Sequence, residues 1–208
     1  LGNSITFSPQ WGSRGVASSV KDSDYVHLLI RDIHQFNPSV AIKYGNIAEF
    51  ERNFDTYPLS KLDGSLKGIA KFEDGVETYP LHPGIDSIRN PDMLILKISE
   101  NVNDAKAIQD DFIKYYDNLI KYMCPNKKTL IIIVDGFWAN KNVNRLIEEY
   151  ATKKGYPFVS IKELSKDITN MATGQYEDKG IAAHPSDKGM RMIEQRIWSS
   201  IKKYFVGI

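Results

Sequence analysis

Thr129-Leu130-Ile131-Ile132-Ile133-Val134 is the stretch that decides the fold. A continuous apolar run of this length, rich in β-branched residues, is typical of a strand buried on both faces, as in a parallel sheet. Helical periodicity precedes it over 104–123 and follows it over 143–152. Because helices that alternate with buried strands form crossover connections, this stretch predicts an α/β fold with a mainly parallel sheet.

The rest of the chain continues the alternation. Further strands are predicted at 40–44, 93–98 and 158–161, and further helices at Val26–Ile33 and from about Asp187. Residues 55–90 are rich in glycine and proline and are interpreted as an irregular excursion, with a hairpin at Glu73-Asp74-Gly75. We therefore expect residues 1–208 to form a single domain with helices on both faces of its sheet.

Composition excludes several classes of function. The 208 residues include 27 basic and 26 acidic side chains, so no overall positive field favours nucleic acid. Cys124 is the single cysteine, which excludes an intrachain disulfide. No apolar run approaches the roughly 18 residues of a membrane span, and the histidines lack metal-ligand spacing, so neither a membrane span nor a metal site is predicted. A strand leading into Gly2 is expected to lie outside this sequence.

Polar residues follow the predicted strands. Ser4, Gly45-Asn46, Ser99-Glu100-Asn101 and the loop that holds His184 should meet at the carboxyl edge of the sheet, where sites form in such folds. A serine hydroxyl becomes a nucleophile when an imidazole takes its proton, and the attacked carbonyl needs N–H donors. Ser4 is the candidate nucleophile and His184 the candidate base. The amides of Ser4 and Gly45 and the side chain of Asn101 are the candidate oxyanion hole.

These residues resemble the sequence blocks of the SGNH (GDSL-type) hydrolases. Gly2-Asn3-Ser4-Ile5-Thr6 is similar to the first block, Gly45 to the second and Ser99-Glu100-Asn101-Val102 to the third. His184-Pro185, with Asp187 and Gly189-Met190 after it, resembles the last block. The blocks occur in the family's order and span nearly the whole chain. The resemblance implies a three-layer α/β/α, flavodoxin-like domain.

The chain departs from the family's pattern at the catalytic acid and beside the nucleophile. Ile181 stands where the family commonly has an aspartate, three residues before the histidine. Asp178 or Glu177 could serve as the acid, or a backbone carbonyl could leave a Ser–His dyad. Asn3 replaces the usual aspartate, and Ser99 replaces a glycine. Ser186 or Asp187 is expected to cap the last helix, which makes Asp187 the weaker candidate for the acid.

The resemblance implies a serine esterase that needs no cofactor or metal. Its expected substrate is a small-molecule or polysaccharide O-acyl ester, with O-acetyl favoured, and its expected location is extracytoplasmic. Trp11, Trp138 and Asn46 are candidate substrate-binding residues. Two alternatives remain open: an O-acyltransferase that uses the same acyl-serine, and a non-catalytic relative that binds carbohydrate. The sequence leaves the oligomeric state open.

Overall fold

A computed structural model describes residues 1–64, 69–78 and 88–205. Its helices are α1 (Tyr25–Phe36), α2 (Ala48–Arg52), α3 (Lys61–Gly64), α4 (Asp104–Gln109), α5 (Phe112–Met123), α6 (Lys141–Lys154), α7 (Lys179–Ala182) and α8 (Asp187–Ile201). Its strands are β1 (Ile42–Gly45), β2 (Ile69–Glu73), β3 (Val76–Thr78), β4 (Met93–Lys97), β5 (Leu130–Val134) and β6 (Phe158–Val159). The α/β class predicted from the sequence is confirmed.

The strands form two three-stranded sheets. β1, β2 and β3 are antiparallel in that order, whereas β4, β5 and β6 are parallel in that order. Leu1 and Gly2 lie between the two sheets. Gly2 N–H donates to Gly45 O at 3.0 Å and Lys97 N–H donates to Leu1 O at 2.9 Å, so these two residues connect β1 to β4. The mainly parallel sheet that the sequence predicts is therefore one of two described sheets.

Alternate residues of the central strands face two apolar clusters. Ile131 and Ile133 of β5 pack into a cluster with residues of α4, α5 and α6. Ile132 and Val134 pack into a second cluster with residues of α1 and α8. The predicted burial of β5 on both faces is confirmed, since Ile132, Ile133 and Val134 have no exposed surface.

Two predicted elements are shorter in the structure. The prediction of a single helix over 104–123 is wrong. The helix is interrupted between α4 and α5 at Asp111, whose φ is 50°. Aspartate is a poor helix former, and a left-handed residue ends the helical hydrogen bonding. The strand predicted over 158–161 ends at Val159. The Ile161 and Lys162 amides donate to the Asp135 carboxylate instead of to a neighbouring strand.

The excursion predicted over 55–90 contains regular structure. Glu73 of β2 pairs with Val76 of β3, and Asp74 and Gly75 between them both have positive φ, which is the geometry of a two-residue hairpin turn. The predicted hairpin is thus confirmed. Residues 65–68 and 79–87 of the excursion lie outside the described part of the chain.

The packing of α8 against α1 gives a testable pH dependence. Glu194 is buried in α8, and its burial, together with Asp32 of α1, raises the pKa of its carboxyl group to about 7. The folded state therefore keeps a proton that the unfolded chain releases at lower pH, so stability falls as pH rises towards 7. Glu194→Gln should match the parent in urea unfolding at pH 5 and exceed it by about 1–2 kcal/mol at pH 8, a value discounted for solvent screening.

The exposed Glu149 of α6, which pairs with Arg145, provides the control for this experiment. Glu149→Gln should change stability by less than about 0.5 kcal/mol at both pH values. An equal effect of Glu194→Gln at pH 5 and pH 8 would contradict the assignment of the titrating group.

Candidate active site

Ser4 and His184 meet at the carboxyl edge of the sheet, although 180 residues separate them in sequence. Ser4 lies two residues after the Gly2 junction, in a tight turn where Thr6 and Phe7 N–H donate to Asn3 O at 2.9 and 3.0 Å. Gly2 is required there, since a Cβ at this position would collide with the Thr6 side chain. The Ser4 Oγ lies 3.0 Å from His184 Nε2, which is hydrogen-bonding distance.

The other nitrogen of His184 contacts a backbone carbonyl. Nδ1 lies 2.7 Å from Gly180 O in α7, so Nδ1 carries the hydrogen and Nε2 is left to accept from Ser4. Asp178, one of the two candidate acids, accepts from Ile181 N–H at 2.9 Å and caps α7. Neither Asp178 nor Glu177 is bonded to His184 within the described residues. The geometry is that of a Ser–His dyad.

Burial affects the protonation of the His184 imidazole. It lowers the pKa of His184 below the ordinary histidine value, against the opposing effect of the Gly180 carbonyl. Trp138 packs edge-on against the imidazole, with ring centroids 5.2 Å apart, and its Nε1 donates to Ala183 O at 2.9 Å. Trp138 therefore fixes the loop that carries His184, a contact distinct from the substrate contact that the sequence predicts.

A buried polar cluster bonds to the turn Asn3–Phe7, which carries the candidate nucleophile Ser4 and is called the nucleophile turn below. Its members are Asn3, Glu51, Lys97 and the side chain of Glu100, all without exposed surface. Asn3 Nδ2 donates to Glu100 Oε2 at 2.6 Å and to Glu51 Oε1 at 3.2 Å. Lys97 Nζ donates to Glu100 Oε1. The two carboxylates thus share the Asn3 amide, whereas the Lys97 ammonium group bonds Glu100 alone.

This cluster favours asparagine over aspartate at position 3. The Asn3 amide gives hydrogen atoms to both carboxylates, and its Oδ1 accepts from Ile5 N–H at 3.2 Å within the turn. An aspartate in its place would bring a third carboxylate against Glu51 and Glu100 and would offer no N–H. Sequence reasoning missed Glu51 and Lys97. The one available signal was Lys97, a charged residue that ends an apolar strand three residues before Glu100.

Two of the three predicted oxyanion donors have a hydrogen available for a ligand near Ser4, and the third does not. The Ser4 N–H has no acceptor within the described residues, and Asn101 Nδ2 donates one hydrogen to Glu51 Oε2 at 2.6 Å, which leaves its second hydrogen for a ligand. Gly45 differs, because its carbonyl bonds to Gly2 in the strand pairing. The N–H of a strand residue points to the same side as its carbonyl, so the Gly45 N–H faces the Leu1–Gly2 segment and not the hydroxyl.

The remaining predicted residues have structural partners. Asn46 Nδ2 donates to Phe7 O at 2.9 Å, and Asn46 Oδ1 accepts from Ala48 N–H at 2.8 Å. Trp11 Nε1 donates to Ser18 O at 3.1 Å, and its ring packs edge-on against Tyr176 with centroids 5.6 Å apart. Trp11 keeps partial exposure in a loop that returns to the nucleophile turn through the bond from Val16 N–H to Ser4 O, at 2.9 Å.

Two capping predictions concern the start of α8. Ser186 is the cap, since its Oγ accepts from Gly189 N–H at 3.3 Å. Asp187 does not cap the helix. Its carboxylate accepts from the Ser19 N–H and the Ser23 hydroxyl, each at 2.8 Å, and so ties the loop before α1 to α8.

Other kinds of site find little support in residues 1–64, 69–78 and 88–205. No group of three histidine, cysteine or acidic side chains there is placed to hold a metal ion. None of the helices in this part of the chain combines the length and apolarity needed to cross a bilayer. A cavity of about 710 Å³ lies at the opposite, amino edge of the strands, beside Ile42, Met93 and Leu130.

No protein-family model, no curated protein and no solved structure matches the chain.

Proposed function

We propose that the chain is a serine esterase of the SGNH type that hydrolyses O-acyl esters, with O-acetyl groups on carbohydrate as the favoured substrate. The observation that carries the proposal is the hydrogen bond between Ser4 Oγ and His184 Nε2, with Nδ1 of the same ring donating to Gly180 O. This arrangement is the one a serine needs to lose its proton during attack.

The reaction follows from these contacts. His184 Nε2 takes the Ser4 proton while Oγ attacks the ester carbonyl, and the Ser4 N–H and Asn101 Nδ2 donate to the resulting oxyanion. His184 then gives its proton to the alcohol oxygen, the alcohol leaves, and an acyl-serine remains. Water, deprotonated by His184, attacks the acyl-serine and releases the carboxylic acid and free Ser4. The Gly180 carbonyl orients the imidazole in both steps.

The same proposal covers the finer architecture. With Leu1–Gly2 counted as a strand, the strands lie side by side in the order β3-β2-β1-(Leu1–Gly2)-β4-β5-β6. If Leu1–Gly2, β1, β4, β5 and β6 are numbered 1 to 5 along the chain, their order in space is 2-1-3-4-5, as in flavodoxin-like folds. The parallel bridge between Gly2 and Asn46 supports this order. The two apolar clusters support helical layers on both faces of the sheet. Ser4 then lies at the switch point, where ligands bind in such folds.

The carbohydrate preference is supported by an aromatic pair near the nucleophile turn. Trp11 is partly exposed beside Tyr176, and the loop that holds it contacts the nucleophile turn. Aromatic rings of this kind present flat apolar surfaces with polar edges. Trp138, whose ring packs on His184, contributes by holding the base and not by stacking on a sugar ring.

Covalent labelling tests the proposal. A fluorophosphonate probe should modify the folded protein at Ser4, identified by mass spectrometry of the peptide that contains Ser4, and should leave the heat-denatured protein unmodified. The folded protein should also release acetate from an acetylated polysaccharide, and labelling should abolish that release. Labelling of several serines at equal rates, or acetate release that survives complete labelling of Ser4, would contradict the proposal.

A further inference from the structure

The carboxylate of Glu51 is surrounded by N–H donors. Ser99 N–H donates to Oε1 at 2.6 Å, Asn3 Nδ2 donates to the same oxygen at 3.2 Å, and Asn101 Nδ2 donates to Oε2 at 2.6 Å. The side chain is fully buried in α2. Because all three partners donate, an ionised carboxylate satisfies them, whereas a carboxylic acid or an amide would add a hydrogen that has no acceptor among them.

The amide of Asn101 is held at both of its polar ends. Its Oδ1 accepts from Arg52 Nη2 at 3.3 Å while its Nδ2 donates to Glu51. These two contacts determine which end of the amide is the nitrogen and fix the plane of the group. The direction of the second N–H is then set by Glu51 and Arg52 together.

We propose that Glu51 is a positioning residue for the esterase: its carboxylate holds the Asn101 side chain so that the second N–H meets the acyl oxygen over Ser4. This inference rests on the proposed function and identifies the support of its oxyanion hole. Glu51 itself contacts no reacting atom. Its effect on rate therefore passes through Asn101.

The charges around Glu51 make the inference visible in a pH profile. Burial, followed by the repulsion from Glu100, raises the pKa of Glu51 to about 7, against the hydrogen bonds from Asn101 and Asn3 and the attraction of Lys97. Tyr116 of α5 and Arg52 of α2 also face this region. Protonation of Glu51 would add a hydrogen to a carboxyl group whose three partners all donate. The hydrogen bond that holds the Asn101 side chain would then be weakened or lost. Activity should therefore fall as pH drops through about 7, above the range where His184 gains its proton.

A double-mutant cycle tests whether Glu51 acts through Asn101. Glu51→Gln should lower kcat/KM for p-nitrophenyl acetate about 10–100-fold at pH 8, and Asn101→Ala should lower it about 10²-fold or more. Added to Asn101→Ala, Glu51→Gln should cost less than about 3-fold, because the group that it positions is already absent. Equal losses in the two backgrounds would overturn the inference.

A matched control and a second readout separate positioning from folding. Glu49→Gln changes an exposed carboxylate on the same helix, which pairs with Lys61, and should leave kcat/KM within about 2-fold of the parent. In the parent, kcat/KM should fall as pH drops through about 7, where Glu51 gains its proton. In Asn101→Ala this fall should be absent, and only the fall at lower pH caused by protonation of His184 should remain. This comparison needs no change at Glu51, so it holds even if Glu51→Gln does not fold.

The failures of the two proposals are distinguishable. Hydrolysis that depends on Ser4, with an undiminished limb near pH 7 in Asn101→Ala, overturns the role of Glu51 and leaves the esterase. Absence of Ser4-dependent hydrolysis in the parent overturns both.

Discussion

Replacing Ser4 by alanine is expected to lower kcat/KM for an acetyl ester by about 10³-fold or more, because the attacking oxygen is lost. The fold should tolerate the change. Ser4 is half-buried and its Oγ bonds to His184, so the free energy of unfolding should change by less than about 1 kcal/mol. Initial rates with p-nitrophenyl acetate, together with urea unfolding, measure the two quantities separately.

Two further variants make the Ser4 result specific. Ser39→Ala removes an exposed serine hydroxyl before β1 and should keep the parent's activity. His184→Ala should be about as damaging as Ser4→Ala, and the double variant should be little worse than either single one, since members of a catalytic pair act as a unit. A Ser4→Ala protein that retains more than about a tenth of the parent's activity would show that the chemistry lies elsewhere.

Placing at position 3 the aspartate that is usual in SGNH hydrolases is expected to destabilise this protein. Asn3→Asp would place a third carboxylate in full burial against Glu51 and Glu100 and would remove both hydrogens that their oxygens accept. An uncompensated buried charge typically costs about 3–5 kcal/mol. Urea unfolding at pH 8 should show a loss of that order. The loss should be smaller at pH 5, where protonation relieves the repulsion.

The matched change is made at a surface asparagine. Asn126 is exposed, and its Oδ1 accepts from Lys128 N–H, a contact that aspartate preserves. Asn126→Asp should change stability by less than about 0.5 kcal/mol. A loss of less than about 1 kcal/mol in Asn3→Asp would show that the carboxylates beneath the nucleophile turn are not ionised, or that the turn relaxes away from them.

The sequence was informative where one periodicity dominated. The apolar run at 129–134 predicts β5, the Val26–Ile33 stripe predicts α1, and the aspartate–glycine pair at 74 and 75 predicts the hairpin turn. It failed at the break between α4 and α5, because the helical spacing of apolar residues continues across Asp110 and Asp111 while a single left-handed residue interrupts the backbone. Periodicity reports which face is buried, and it is insensitive to one backbone dihedral.

The candidate site divides in the same way. The proximity of Ser4 and His184 was predictable, because each belongs to a short motif with a chemical reason for its residue types. Glu51 was not, since nothing in the pattern of a five-residue helix distinguishes a carboxylate that turns inward from one that faces water. The acceptor of the His184 Nδ1 hydrogen was also beyond the sequence. Every residue has a backbone carbonyl, so the sequence does not indicate which one bonds His184, and the structure was needed to identify Gly180.

The Leu1–Gly2 junction links local unfolding of the sheet to the position of Ser4. These two residues connect β1 to β4. Ser4 follows them after a single residue, so its position depends on the junction between the two sheets. A fluctuation that opens this junction would move Ser4 away from His184. Because local opening requires less free energy than global unfolding, we expect mild denaturant to abolish the proposed esterase activity reversibly before the helices unfold.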